Sequence, residues 1–177
     1  MEKQSMAKCI ESMRKPEITE HIEYEGKEIT INWYDLVGKE IPNLKWHQVY
    51  VVGDLDGLVP IVNYKDHHSN LPGGRTEPGE TIDQAIVREL DEEIKMKVLS
   101  WEPLGYQVWI ETETNSKKAQ LRVYAKLAKD EEFTNDPGGS VIGHSLVPLD
   151  ELNKKINYHT IGDYMVESVK TIKSKKD

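Results

Sequence analysis

Three glutamates, Glu89, Glu92 and Glu93, stand in the run Arg88-Glu89-Leu90-Asp91-Glu92-Glu93, with Gly74 and Glu80 placed ahead of them at fixed distances. Residues three and four apart on a helix are surface neighbours, so a helix here gathers the three carboxylates on one side. At about 100° per residue they fall within an arc of roughly 100°, and Ile82, Ile86, Leu90 and Ile94 trace an adjoining apolar arc. Carboxylates crowded beside a core-facing stripe repel one another unless a cation joins them. Hard divalent ions bound by oxygen, Mg²⁺ above all, suit such a cluster and favour phosphate substrates.

The stretch Gly74-Arg75-Thr76-Glu77-Pro78-Gly79-Glu80, then seven residues, then Arg88 through Met96, resembles the signature box of the Nudix hydrolases. That box reads Gly, five residues, Glu, seven residues, then Arg-Glu-apolar-any-Glu-Glu-any-Gly-apolar. Eight of its nine specified positions are met, and Lys95 stands where the family has glycine. A glycine there ends the helix in a left-handed conformation, which a lysine adopts only at a cost. The departure therefore bears on the helix end and leaves the carboxylate face untouched.

A chain of 177 residues is long enough to bury a substantial core as one domain. No apolar run approaches a membrane span, and residues 1–20 are charged throughout without a signal-peptide core. Cys9 is the only cysteine, which excludes an intrachain disulfide and points to the reducing cytoplasm. A formal net charge of −8 argues against wrapping a nucleic-acid backbone. It does not exclude small anions, because a bound metal reverses the local field. The four lysines between Lys170 and Lys176 read as a solvated, frayed helix end.

Along the chain, residues 4–14 suggest a short helix stopped by Pro16, and residues 21–33 a hairpin about Glu25-Gly26-Lys27. Residues 48–53 and 58–64 are apolar and β-branched, joined by Asp54-Leu55-Asp56-Gly57, and read as a second hairpin. Residues 67–79 form a Gly- and Pro-rich loop. The helix of the box follows from Thr81 to about Lys95, with Thr81 and Gln84 in capping-box positions. Strands are expected at 104–113 and 120–128, a loop at 133–143, a short helix starting between Pro148 and Lys154, and a terminal helix over 160–173. That last helix buries Ile161, Met165, Val169 and Ile172.

Strands interleaved with helices mean an α/β chain with a mixed sheet. The resemblance sharpens this to a Nudix-type α/β/α sandwich, with residues 46–177 as the hydrolase domain and residues 1–45 as an extension carrying an additional N-terminal hairpin. Such a hairpin serves a homodimer interface in several Nudix families; covering its own sheet is the other reading, and both stay open.

The resemblance implies residue roles as well. Glu89, Glu92 and Glu93 would be ligands to Mg²⁺ or Mn²⁺, with Glu92 and Glu93 also at the chemistry. The Gly73 carbonyl would add a ligand, and Glu80 would support the cluster or bind metal through water. Arg88 would orient the carboxylates, most directly Glu92 one turn on. Gly74 and Arg75 of the loop would meet substrate. Apart from the resemblance, Trp109 and Tyr106 could stack on a base, although aromatic residues in strands are usually core. The general base is either a box glutamate or an acid of a later loop, where Glu131, Glu132 and Asp136 lie. Adjacent residues such as His67 and His68 point apart and make a poor metal pair.

The implied activity is hydrolysis of the phosphoanhydride in a nucleoside diphosphate linked to another moiety, a small-molecule substrate. The alternative is a Nudix-fold protein that binds a nucleotide without cleaving it, and such proteins commonly carry an eroded box. Allylic diphosphate isomerases share the fold but use a cysteine, for which Cys9 is badly placed. The substrate's second moiety is left open.

Overall fold

A computed structural model describes residues 14–175, so Cys9 and the helix expected before Pro16 lie outside the described residues, save Arg14. Nine strands are present: β1 (Ile18–Tyr24), β2 (Lys27–Asp35), β3 (Trp46–Asp54), β4 (Leu58–Tyr64), β5 (Ser69–Asn70), β6 (Gly73–Arg75), β7 (Met96–Glu111), β8 (Lys117–Lys129) and β9 (Val141–Pro148). The helices are α1 (Ile82–Ile94), α2 (Leu152–Ile156, entered through a 3₁₀ turn at Leu149–Glu151) and α3 (His159–Ser174). Six strands form a mixed sheet in the order β1-β2-β7-β8-β3-β6, and β5-β4-β9 form a second sheet. Strands β3 and β8 run parallel; the other pairs are antiparallel.

Alternation along the central strands splits the core in two. Val49, Val51, Leu121 and Val123 face α1, which answers with Ala85, Ile86, Leu90 and Ile94. Val52, Leu104 and Tyr124 face the other way, toward Ile161, Met165, Val169 and Ile172 of α3. Helices thus cover both faces of the mixed sheet, the α/β/α sandwich. No helix among the described residues is long and apolar enough to cross a membrane.

Strands β1 and β2 pair as a hairpin, and β2 pairs onward with β7, so the N-terminal segment extends the main sheet. Segments 48–53 and 58–64, expected to pair with each other, do not. Their turn forms, with Asp56 and Gly57 at positive φ and a lone bridge between Leu55 and Leu58. Both edges of β3 are already taken, one by β8 and one by β6, so β4 leaves to pair with β9. The expected loop at 67–79 holds two very short strands, β5 and β6, and the one at 133–143 gives way to β9 at Val141.

Helix α1 begins as its sequence dictates. Thr81 Oγ1 accepts from Gln84 N at 3.2 Å, and Gln84 Oε1 accepts from Thr81 N at 2.9 Å. At its other end Lys95 adopts the left-handed conformation, φ 53° and ψ 51°, with its N–H bonded to the Leu90 carbonyl. This is the position where the family places glycine, and lysine pays the Cβ clash there. Lys95→Gly should stabilise the protein by about 1 kcal/mol, the left-handed penalty less the extra freedom of an unfolded glycine. Turnover should stay unchanged. Urea denaturation and a rate assay check this; a large rate change at equal stability would mean that Lys95 has a role in the chemistry.

Candidate active site

The loop between β6 and α1 turns the first box residues back against the last turns of the helix. Gly73, at φ 139°, donates its N–H to Glu93 Oε2 at 2.7 Å. A Cβ on Gly73 would meet the Val49 carbonyl at 2.2 Å, and one on Gly74 would meet Glu89 Oε1 at 2.7 Å. Only glycine lets this backbone lie so close to the two carboxylates. Glu89 and Glu93 are each only 7% exposed, an unusual state for an acid.

Arg88 organises the rest. Its Nε and Nη2 bond both oxygens of Glu80, at 2.7 and 2.9 Å. Its Nη1 reaches Glu89 at 2.9 Å and Glu92 at 3.4 Å, and Nη2 also donates to the Arg75 carbonyl at 3.0 Å. One guanidinium therefore ties three box acids to the loop, where pairing with one of them is expected. Glu80 is held below its ordinary pKa by that bond. Glu89 moves the other way, because burial outweighs its contact with Arg88.

Glu93 has no such partner. Burial pushes its pKa up to about 8, against the Gly73 hydrogen bond, and the charges of Glu89, Asp136 and Glu92 push it further. As arranged here, no three Asp, Glu, His or Cys side chains among the described residues converge on one point that would hold an ion. The reason is visible: Arg88 fills the space between Glu80, Glu89 and Glu92, and Glu93 turns to Gly73. The chemistry of the donors nonetheless fits a hard divalent cation. Glu93 is a buried carboxyl that no cation among the described residues pairs with, and Glu89 lies beside it against an open glycine backbone.

Of the later-loop acids, Glu131 and Glu132 are exposed, whereas Asp136 is buried within the electrostatic reach of Glu93. Asp136 accepts hydrogen bonds from Gly138 N, Ser140 N, Ser140 Oγ and Val141 N at 2.9–3.2 Å. Burial raises its pKa, but these donors outweigh burial and hold it below the usual carboxylate range. Its saturated oxygens make it an anchor for its loop. Tyr106 is buried on the α1 side, stacked on Tyr34 at 4.8 Å with Trp46 edge-on, and is out of reach of a ligand. Trp109 lies on the opposite face, half-buried, with Tyr24 edge-on at 5.5 Å and its Nε1 2.6 Å from the Gln107 amide. His67 and His68 are exposed; His68 stacks on Tyr64 and bonds Asp66.

Residues 40–168 match the sequence model of the NUDIX domain. The chain belongs to the Nudix hydrolase family. YtkD of Bacillus subtilis strain 168, named as a candidate 8-oxo-dGTP diphosphatase, is 30% identical over 129 residues, spanning 72% of this chain and 78% of its own. Among solved structures, the Bacillus subtilis pyrophosphohydrolase BsRppH superposes with a TM-score of 0.67 at 19% identity, over 86% of this chain and 96% of that one. A Nudix hydrolase from Nitrosomonas europaea gives 0.55 at 20% identity, over 72% and 90%. At such identities the two structures speak to the fold.

Several groups around the Nudix carboxylates escape a reading of the box. Tyr50 and Tyr64 are both close enough to feel the charge of Glu93, and burial raises the pKa of each, Tyr50 to about 12. Tyr158 bonds Asn70 across from β5, and Arg122 lies under it. One signal was available: Arg122 interrupts the apolar run Leu121-Arg122-Val123-Tyr124-Ala125 in the middle of a strand.

Proposed function

We propose that this Nudix hydrolase is a Mg²⁺- or Mn²⁺-dependent pyrophosphohydrolase that cleaves the phosphoanhydride of a nucleoside diphosphate linked to another moiety. The observation that carries the reading is the burial of Glu89 and Glu93 against the bare backbone of Gly73 and Gly74. Such an arrangement destabilises the folded chain on its own, and makes sense as a seat for positive charge. Glu89, Glu92 and Glu93 would hold the ion, with the Gly73 carbonyl and Glu80 in support, and Arg75 and Gly74 facing the substrate.

Bound there, a divalent ion supplies positive charge to phosphate oxygens and makes water more acidic. The chain's own residues do the remainder. Arg88 keeps Glu80 and Glu89 fixed in direction, so that little reorganisation is needed when charge develops. Glu93, turned toward the glycine loop through its bond to the Gly73 N–H, is the box acid we assign to accept a proton from the attacking water. Glycines at 73 and 74 let a phosphate come close to the loop without steric conflict.

We also propose that residues 46–177 form the hydrolase domain, with the preceding segment as an accessory that lends two strands to its sheet. A nucleoside triphosphate is one case of the proposed substrate, the second moiety being phosphate. The 30% identity to YtkD favours including 8-oxo-dGTP in the assay.

The test is a panel of nucleotide sugars, dinucleoside polyphosphates, ADP-ribose and oxidised nucleoside triphosphates incubated with Mg²⁺, with products identified by mass spectrometry. Cleavage between phosphates, lost on adding excess chelator and regained with Mg²⁺ or Mn²⁺, is expected. Full activity in excess chelator would overturn the metal reading. Tight binding of a panel member with no cleavage under any divalent ion would favour the binding-protein alternative.

A further inference from the structure

On the sheet face turned away from α1, polar side chains occupy two adjacent rows where an apolar core would be expected. One row crosses the strands as Gln107, Gln120 and Gln48, and reaches Arg75 on β6. The Gln107 amide lies 2.8 Å from Gln120 Oε1, Gln120 Nε2 donates to Gln48 Oε1 at 2.7 Å, and Gln48 Nε2 to the Tyr50 hydroxyl at 3.0 Å. The next row runs Arg122, Tyr50, Gly73, ending at the glycine that donates to Glu93. Strand β6 is the sheet's edge, and Tyr50, on this face, lies close enough to Glu93 and Glu89 to feel their charges.

Arg122 is the anomaly in these rows. It is 2% exposed, and its Nε–H has no hydrogen-bond partner. Its other nitrogens meet neutral groups: Gln120 Oε1 at 3.1 Å, the Gln107 amide at 3.1 Å, the Leu121 carbonyl at 3.3 Å and the Tyr158 side chain. The guanidinium lies 4.5 Å from the centre of the Tyr50 ring and 5.4 Å from that of Tyr158, and no carboxylate among the described residues pairs with it. Two rings return part of the desolvation energy of a buried cation, but no anion completes it. Arginine keeps its charge under all ordinary conditions, so the imbalance persists in the free protein.

We propose that Arg122 is a specificity-determining residue that binds a phosphoryl group of the substrate, the one further from the box glutamates. The placement supports this. About two strand spacings, near 10 Å, separate the Arg122 and Gly73 backbones, and the guanidinium leans back over Tyr50 to shorten that gap. A diphosphate laid from Gly73 across Tyr50 meets Arg122 at its second phosphorus, where a planar fork with a free Nε–H matches phosphate oxygens. Tyr158, half-buried on the link between α2 and α3, is the outer cover, held by its hydroxyl bond to Asn70. That bond is the contact a ligand must displace. The assignment rests on the pyrophosphohydrolase reading for the identity of the anion, and not for the existence of the site.

The probe is inorganic pyrophosphate in excess chelator, so that no turnover occurs, with affinity measured by calorimetry. Wild type should bind, and Arg122→Gln should weaken binding at least about tenfold with an unchanged circular-dichroism spectrum. Affinity within twofold of wild type in a folded variant, or no binding by wild type, overturns the proposal. Should the variant fail to fold, the wild-type protein still decides. The Arg122 side-chain Nε–H resonance should move on saturation with pyrophosphate, and a resonance that stays in place overturns it. Hydrolysis assayed separately in Mg²⁺ keeps the two readings distinct, since either can fail while the other stands.

Discussion

Replacing Glu93 with glutamine should lower turnover by more than about a hundredfold while leaving the fold intact and at least as stable as wild type. Residues that merely orient a metal's ligands cost about 10–100-fold when removed, so a direct ligand that also accepts a proton should cost more. The stability half of the expectation follows from the surroundings. Glu93 is buried, has Gly73 N–H as its hydrogen-bond donor, and lies near the charges of Glu89, Asp136 and Glu92. Glutamine keeps an oxygen for Gly73 and, being neutral, avoids the cost of either ionising or protonating a carboxyl in this buried place. A variant that gains stability as it loses activity is the pattern of a site strained for function. A second readout separates metal binding from general damage: Mg²⁺ should raise the melting temperature of wild type and not of the variant. Unchanged turnover in Glu93→Gln would remove this residue from the chemistry and with it the proposed ligand set.

What made this site readable beforehand was locality. The box helix depends on contacts three and four residues apart, and Thr81, Gln84, Ile86, Leu90 and Ile94 carry that information in their own spacing. Even the departure at Lys95 could be placed, because a left-handed helix end is a one-residue event. Strand partnership has no such local marker. The Asp54-to-Gly57 turn is genuine, yet whether β4 stays with β3 depends on β8 and β6 claiming both edges, residues from distant parts of the chain. Strand β7 begins at Met96, directly after the helix, but Pro103 within it imitates a boundary; the ladder absorbs it as a register shift between Pro103 and Gly105. Arg122 was passed over for a related reason. A charged residue in a strand ordinarily points to solvent, and only the packing of Tyr158 over it shows that this one does not. The lysine-rich end reads as solvated, and its side chains, though partly exposed, also pair: Lys170 with Asp150 and Glu167, and Lys173 with Asp54.

That last pairing leads to the largest expected effect on stability, at Asp54. This carboxylate is 4% exposed at the end of β3 and joins three elements. It accepts from Tyr124 Oη and Lys126 Nζ of β8, both at 2.7 Å, from Lys173 Nζ of α3 at 3.0 Å, and from Gly57 N in the turn at 2.8 Å. Burial alone would raise its pKa, but the hydrogen bonds from Lys126, Tyr124, Lys173 and Gly57 prevail and hold it well below the carboxylate range. Asp54→Ala removes the acceptor shared by the Tyr124 hydroxyl, two ammonium groups and the Gly57 N–H. Both lysines are partly exposed and recover water, so the loss is placed at about 2–3 kcal/mol rather than at the upper end for buried pairs. For a chain of this length that is a fall of roughly 5–10 °C in melting temperature. The sign with pH follows from the direction of the shift. A depressed folded-state pKa contributes stability that is fully present above the unfolded value near 4 and disappears as pH falls toward the folded value. The gap between wild type and Asp54→Asn in urea midpoint should therefore be constant from about pH 7 to pH 5 and narrow progressively below about pH 4. A gap that stays constant down to the lowest pH at which both proteins fold would show that shape, and not charge, is what Asp54 contributes to the junction of β3, β8 and α3.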